Sequence, residues 1–341
     1  MQQTASSQSS DASNIILKRH ALLTLESDFL SDFGKKGRST NTLKNYKTDL
    51  DCFNGYLLTT QGHDNIQDFS LPQVKLYGDY LQTRYKSDNS RRRRVQTLRI
   101  FFDYLVARHL FSSNPVRSLP TSPKFLDKPR PTSLIDIKTL WQCLLEESFQ
   151  DNPIARVIAR RNQVLVLFIY GAGLKVSDLQ NLTQDQIIIS DDKSTNQAPR
   201  VLIHHPKRDP YTVPLPAAFT SVYLDYLREL KSVKEQSDVD FNEVLFNANA
   251  FKILSGGLSA RGIEMVLEHY RKKLIIEVTP KSLRQSCIFE WLQADHNDTT
   301  IKDWMGVAPS YSLALYKAHI NEAVFSNEFL LELYLHAKKK H

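Results

Sequence analysis

Between Ser39 and Arg117 the apolar positions recur at intervals of three and four residues, the spacing of one helical face. Leu43, Tyr46, Leu50, Phe53 and Leu57 form such a stripe behind Ser39 and Thr40, residue types that suit a helix N-cap. Leu76, Tyr80 and Leu81 mark another helix. In "SRRRRVQTLRIFFDYLVARHLF" Val95, Leu98, Phe101, Phe102 and Leu105 share a face behind four consecutive arginines. No alternating pattern of the strand type interrupts this stretch, so residues 21–117 are predicted to be a small all-helical domain. Residues 115–133, "PVRSLPTSPKFLDKPRPTS", hold five prolines and little periodicity. Such a composition resists helix and sheet and acts as a semi-rigid tether, which places a linker at 118–133. The polar, Ser/Gln-rich residues 1–20 read as a disordered tail.

Beyond the linker the pattern is mixed. Helices are predicted at 134–147, 155–170, 175–182, 216–231, 259–273, 281–294, 298–305, 310–319 and 327–340. "RVLIHHPKRDPYTVPLP" (200–216) reads instead as two short β runs around a polar turn. The expected fold class is mainly α with a small β-hairpin element: a helical N-terminal domain, then a mixed α/β domain over 134–341. The last helix offers Phe329, Leu330, Leu333 and Leu335 for burial, and its closing lysines suit a helix C-terminus.

Composition narrows the function classes. The longest apolar runs, such as "VLVLFIY" (164–170), are too short to span a bilayer, and the N-terminus lacks a signal-peptide pattern. Cys52, Cys143 and Cys287 have no paired spacing, which argues against a disulfide framework or zinc site and for a reducing cytoplasm. The ten histidines form no H-E-x-x-H pattern, and there is no Gly-rich phosphate loop. The net charge is +7, and residues 1–127 hold 18 basic against 12 acidic side chains. A basic N-terminal third is an electrostatic footprint for a polyanion.

The chemistry lies further along. In "YGAGLKVSDL" (170–179) a glycine turn leads into a helix that opens with Lys175 and carries Asp178. Alone, Lys175 reads equally as a solvated lysine or as one facing a phosphate. The C-terminal stretch "TPKSLRQSCIFEWLQADHNDTTIKDWMGVAPSYSLALYKAH" decides between them. From about residue 24 to 335 the chain resembles the tyrosine recombinase/phage integrase family, most of all its Xer-like site-specific recombinases. "GAGLKVSDLQNLTQDQI" resembles the family's first box, G-L-R-x-S-E-L, and "LSARGIEMVLEHY" the segment before the second. "PKSLRQS" stands where the family has P-H-x-L-R-H-[ST], and "WMGVAPSYSLALY" where it has L-G-H followed by the nucleophilic tyrosine. From Arg284 to Val307 is 23 residues and from there to Tyr316 nine, intervals that match the family's without a gap.

The resemblance implies a helical core-binding (SAM-like) DNA-binding domain at 21–117 and a catalytic domain at 134–341 that ends in an oligomerisation helix. It implies that Tyr316 attacks a DNA phosphodiester, leaving a 3′-phosphotyrosyl bond and a free 5′-hydroxyl, with neither ATP nor a metal or other cofactor. Arg284 becomes the guanidinium that forks onto non-bridging phosphate oxygens. Lys207, in the hairpin turn, becomes the general acid, with Arg208 as the alternative. Lys175 replaces an arginine and gives up its fork, and Lys281 replaces a histidine. Val307 replaces a histidine or tryptophan and can offer no hydrogen bond. Asp178 is expected to orient Lys175. Arg91, Arg92, Arg93 and Arg94, with Lys44 and Lys47, are the expected phosphate-backbone contacts.

The implied partners are double-stranded DNA and further subunits in a homo- or hetero-tetramer, among them a sister recombinase, on nucleoid DNA in the cytoplasm. The final helix either packs on a neighbouring protomer or folds back on its own domain. Two readings stay open: a working recombinase with slow or partner-dependent chemistry, and a catalytically impaired pseudo-recombinase that binds and organises DNA without cutting it. Chromosome-dimer resolution and the movement of phages or transposons, as mobile elements, are alike open.

Overall fold

Leu22, Leu25 and Phe29 repeat at three and four residues and bury one face of a helix upstream of the Ser39–Arg117 stretch, α1 (Leu22–Lys35). The computed structural model describes residues 21–118, 128–189, 198–205, 208–320 and 324–340. The tail at 1–20 and most of the Pro-rich linker therefore lie outside the described residues. The chain divides into two units, Met1–Leu126 and Asp127–His341.

In the first unit Ser39 caps α2 (Thr40–Gln61) by accepting the Thr42 N–H, and Gly62 ends that helix in the left-handed conformation. The helices α3 (Leu71–Arg84) and α4 (Asp88–Ala107) follow. Their core joins Phe29, Leu50, Phe53, Tyr77, Leu81, Phe101, Phe102 and Leu105. The buried stripe of α3 is Val74, Tyr77 and Leu81; Leu76, expected inside, is 59% exposed because it sits one position off that face.

In the second unit Ser133 caps α5 (Leu134–Glu147) and Asn152 caps α6 (Pro153–Val166). The apolar run 164–170 is buried throughout, but the α-helix stops at Val166 and the chain widens into a π-turn, Leu167–Gly171. A single turn, α7 (Val176–Leu179), comes next. The expected hairpin forms as β2 (Arg200–His205) and β3 (Arg208–Pro214), and β1 (Ile187–Ile188) extends it to an antiparallel three-stranded sheet. After α8 (Phe219–Ser237), a second hairpin pairs β4 (Phe246–Ala248) with β5 (Ile253–Gly256). Neither β1 nor this hairpin is long enough to show an alternating pattern. The chain closes with α9 (Ala260–Leu274), α10 (Pro280–Gln293), α11 (Asp298–Trp304), α12 (Ala314–Lys317) and α13 (Glu328–Lys340). Helix was expected over 310–319, yet only one turn of it forms. Among the described residues no helix is long and apolar enough to cross a membrane.

The last helix, α13, packs on its own unit. The Trp141 indole N–H donates to the Leu330 carbonyl (3.1 Å), the Tyr170 hydroxyl donates to that of Ser326 (2.7 Å), and the Lys338 ammonium pairs with Asp225 (2.6 Å). Leu330 is fully buried, whereas Leu335 is 44% exposed and Tyr334 takes the inward position. Upstream, Glu290 and Gln293 of α10 accept the backbone N–H groups of Asn327 and Phe325.

Leu330→Ala is expected to cost about 2–5 kcal/mol in a urea denaturation series, as for other fully buried leucines. Burial pushes the Glu290 carboxyl up to about 7 from its ordinary 4.5. A carboxyl raised on folding favours the folded state when protonated, so its contribution is complete below about pH 4.5 and is lost as pH rises through about 7. Glu290→Gln, which keeps an acceptor for Asn327, is expected to flatten that fall in unfolding midpoint; an undiminished fall assigns it to other groups.

Candidate active site

Thr279 accepts the Ser282 N–H and Pro280 takes the first position of α10, so the helix begins sharply. Arg284 lies one turn in. Its Nη2 donates to the Met305 carbonyl at 2.7 Å, while Nη1 is buried without a hydrogen-bond partner among the described residues. Lys175 precedes α7, and its Nζ donates to the next carbonyl along, that of Gly306, at 2.9 Å. Two cations from distant parts of the sequence thus converge on one dipeptide.

The glycines of "YGAGLK" answer to packing. Gly173 has φ 61°, and a Cβ there would approach Trp291 of α10 to 2.7 Å. Trp291 stands edge-on to Trp304 of α11, ring centres 5.2 Å apart. The turn before Lys175 and the helix before Gly306 are therefore braced on the same pair of indoles. Asp178 accepts the backbone N–H of Lys175 at 3.0 Å; what it fixes directly is the lysine's main chain. Val307 packs against the apolar core and presents no polar side-chain atom.

Lys175, Lys281 and Arg284 share the wall of a cleft of about 660 Å³, joined by Arg271 and by the acidic Glu264 and Glu268. An anion there meets a concentration of positive charge with Thr279 beside it. Tyr316 is placed by α12, its ring edge-on to Phe289 of α10 at 5.9 Å between centres. Burial pushes its phenol up to about 12, and Tyr311 adds to the rise, while Arg284 and Gln285 pull the other way. Burial draws the Arg284 guanidinium down from its ordinary value, opposed by Asp178, Cys287, Tyr316 and Tyr211. Arg284 and Tyr316 thus lie within each other's electrostatic reach. Lys207 lies outside the described residues.

The sequence reading passed over Arg271, Gln285 and Tyr211. Tyr211 had a detectable signal: with Val213 it alternates along β3, paired with the buried Ile203 and Val201 of β2. The arginine run of α4 divides by burial. Arg94 is 8% exposed, stacks on Tyr85 at 3.7 Å and donates to the Ser90 carbonyl. Arg93 reaches the buried Asp49 (2.8 Å) and Asn45 (2.7 Å). Arg91 pairs with Asp88 and donates to the Tyr85 carbonyl, and Lys47 is held by Glu26 and Asp51. Lys44 is exposed and Arg92 half-buried. A run expected to face phosphate as a block therefore has one member, Arg94, turned into the unit's own interior.

Residues 28–109 match the phage integrase N-terminal SAM-like domain. The chain is 27% identical over 297 residues to the tyrosine recombinase XerC of Oceanobacillus iheyensis, spanning 85% of this chain and 90% of that one. Among solved structures, lambda integrase bound to DNA superposes with a TM-score of 0.61 at 14% identity, covering 90% of this chain and 99% of the other. The Tn1549 transposon integrase in complex with a circular intermediate DNA gives 0.63 at 14% identity, with 94% and 99% covered. At such identities the structural likeness establishes a shared fold.

Arg94→Ala is expected to lower the stability read from urea unfolding by about 1–3 kcal/mol, the cost of leaving buried polar groups without their partners. Arg92→Ala, at a half-buried position, is expected to cost less than Arg94→Ala in the same series. Equal losses would show that the two arginines are not divided by burial.

Proposed function

We propose that this chain is a tyrosine recombinase of the phage integrase type that breaks and rejoins DNA strands at specific sites with Tyr316 as nucleophile. The observation that carries the proposal is the meeting of Lys175, Lys281 and Arg284 on one cleft, with Arg284 in electrostatic reach of Tyr316. The relatives and solved structures it resembles include a tyrosine recombinase and integrases seen on DNA.

In this mechanism the Tyr316 phenol gives up its proton to solvent water as its oxygen attacks a backbone phosphorus, the P–O5′ bond breaks, and the leaving 5′-oxygen takes up a proton supplied by Lys207. The new 3′-phosphotyrosyl ester retains the energy of the bond that broke, so rejoining needs no nucleotide or metal. At neutral pH the buried phenol is protonated, and the nearby guanidinium lowers the cost of its ionisation. Negative charge grows on the phosphorane oxygens, and preorganised cations are what stabilise it. Arg284 keeps N–H groups beyond the one given to Met305, and Lys175, which donates to Gly306, brings a second positive charge to the same wall. Lys281 adds a third cation.

Residues 21–117 serve as the core-binding domain, 118–133 as linker and 134–341 as the catalytic domain. The exposed Lys44 and Lys47, with Arg91, Arg92 and Arg93, contact the duplex backbone. The chain works as a homo- or hetero-tetramer on nucleoid DNA in the cytoplasm, alone or with a sister recombinase. One observation favours the second reading, a DNA-organising protein that does not cut: Val307 adds no donor to the site, and Lys175 lacks an arginine's fork.

On duplex DNA nicked near the crossover, so that the cleaved strand diffuses away, the protein is expected to accumulate a covalent DNA adduct. Tyr316→Phe is expected to abolish it and Arg284→Ala to slow it by about 10²–10³-fold. Lys175→Arg is expected to speed it. Tight binding without any adduct selects the non-cutting reading.

A further inference from the structure

We infer that Lys128 and Arg130, where the Pro-rich stretch enters the second unit, form with Lys281 a second phosphate pocket, which takes the DNA phosphate next to the one that Tyr316 attacks. The inference rests on the strand-transfer reading of the neighbouring cleft and extends it along the DNA strand.

The sequence prepares this in "KPRP" (128–131). Each cation precedes a proline, which pushes the backbone of that cation out of the helical region, and each proline holds its own φ at about −65°. These four residues therefore make a stiff, extended rail. Burial alternates along it: Lys128 and Arg130 are exposed, Pro129 is buried and Thr132 is 2% exposed. In an extended chain such alternation turns both cations to the same, outward side.

The rail is fastened to α10, the helix that carries Arg284. The Arg130 N–H donates to Gln285 Oε1 at 2.9 Å, the Thr132 hydroxyl donates to that of Ser282 at 2.7 Å, and the Ser286 hydroxyl donates to the Thr132 carbonyl at 2.9 Å. Gln285, Ser286 and Thr132 are all buried. Buried polar groups thus hold the backbone of a segment whose charged side chains stay outside.

Between the rail and the start of α10 lies a cavity of about 600 Å³. Among the described residues that line it are three cations, Lys128, Arg130 and Lys281, against one carboxylate, Glu277. This cavity and the catalytic cleft share Thr279 and Lys281 as a common wall. A DNA strand carries one charge per about 3.4 Å of helix axis. A strand that sets one phosphate against Arg284 therefore brings the next within a nucleotide's step, with Lys281 between the two. The second pocket does no chemistry; it grips the strand beside the reacting phosphorus. Because the rail and Arg284 share one helix, the grip and the catalytic cation keep one register.

Lys128→Gln combined with Arg130→Gln removes both charges and leaves the Arg130 N–H free to bond Gln285. For the full-length protein on duplex DNA, the dependence of log affinity on log salt is expected to become shallower by about one, the share of one phosphate, at a matched melting temperature. An unchanged slope overturns the inference, whether or not the protein cuts. Where the covalent adduct maps the attacked phosphate, an uncharged methylphosphonate is placed at each adjacent position in turn. At one of the two it is expected to weaken binding by the parent severalfold and to add nothing in the double variant. Losses undiminished in the double variant at both positions put the two cations on another phosphate and overturn the inference. A reduced slope without any adduct sinks the strand-cutting reading alone and leaves the phosphate grip standing.

Discussion

Two adjacent carbonyls, those of Met305 and Gly306, hold the cations of this protein's cleft in place. Arg284 reaches one and Lys175 the other, at 2.7 and 2.9 Å. The cations come from residues 109 positions apart in sequence, and like charges brought together in a half-buried cleft repel one another. Carbonyl oxygens relieve that repulsion while leaving the net charge intact. Each carbonyl takes one donor from its cation and so fixes where the cation stands in the cleft. The donors are preorganised, which is what makes electrostatic stabilisation effective during a reaction.

Much of this was legible in the residues. The intervals from Arg284 to Val307 and on to Tyr316 match the spacing of the family the chain resembles, and the structure sets Arg284 and Tyr316 in mutual electrostatic reach. Long periodic helices such as α2, α4, α5 and α10 could be read because many turns repeat the same face. Short elements could not: β1 has two residues and β4 three, too few for any period to show. The end of α6 was misplaced because a buried apolar run continues unbroken through the π-turn, and composition does not record a change of hydrogen-bond step. Tyr211 escaped notice because its one signal, alternation with Val213 along β3, is short. In sequence it is one aromatic among 14 tyrosines.

The arginine run of α4 shows how a charge pattern misleads when read without a helix to wind it on. Four consecutive positions sweep most of the way around a helix, so they cannot all face one ligand. Asp49 sits fully buried on α2, its carboxyl raised by that burial, and takes Arg93 and Thr97 as hydrogen-bond donors with Arg94 close by. Part of the positive charge of the N-terminal third is therefore used in joining α2 to α4, and the remainder is available to a polyanion.

The indole pair Trp291 and Trp304 gives the cleft a mechanical property. Trp291 presses on the left-handed glycine of the turn before Lys175, and Trp304 belongs to the helix that leads into Gly306. Donor and acceptor are thus mounted on one rigid bracket, so a thermal excursion that shifts either carries the other with it. Heat would then disarm the cleft in a single step, when the bracket itself melts, with no gradual loosening of one bond beforehand.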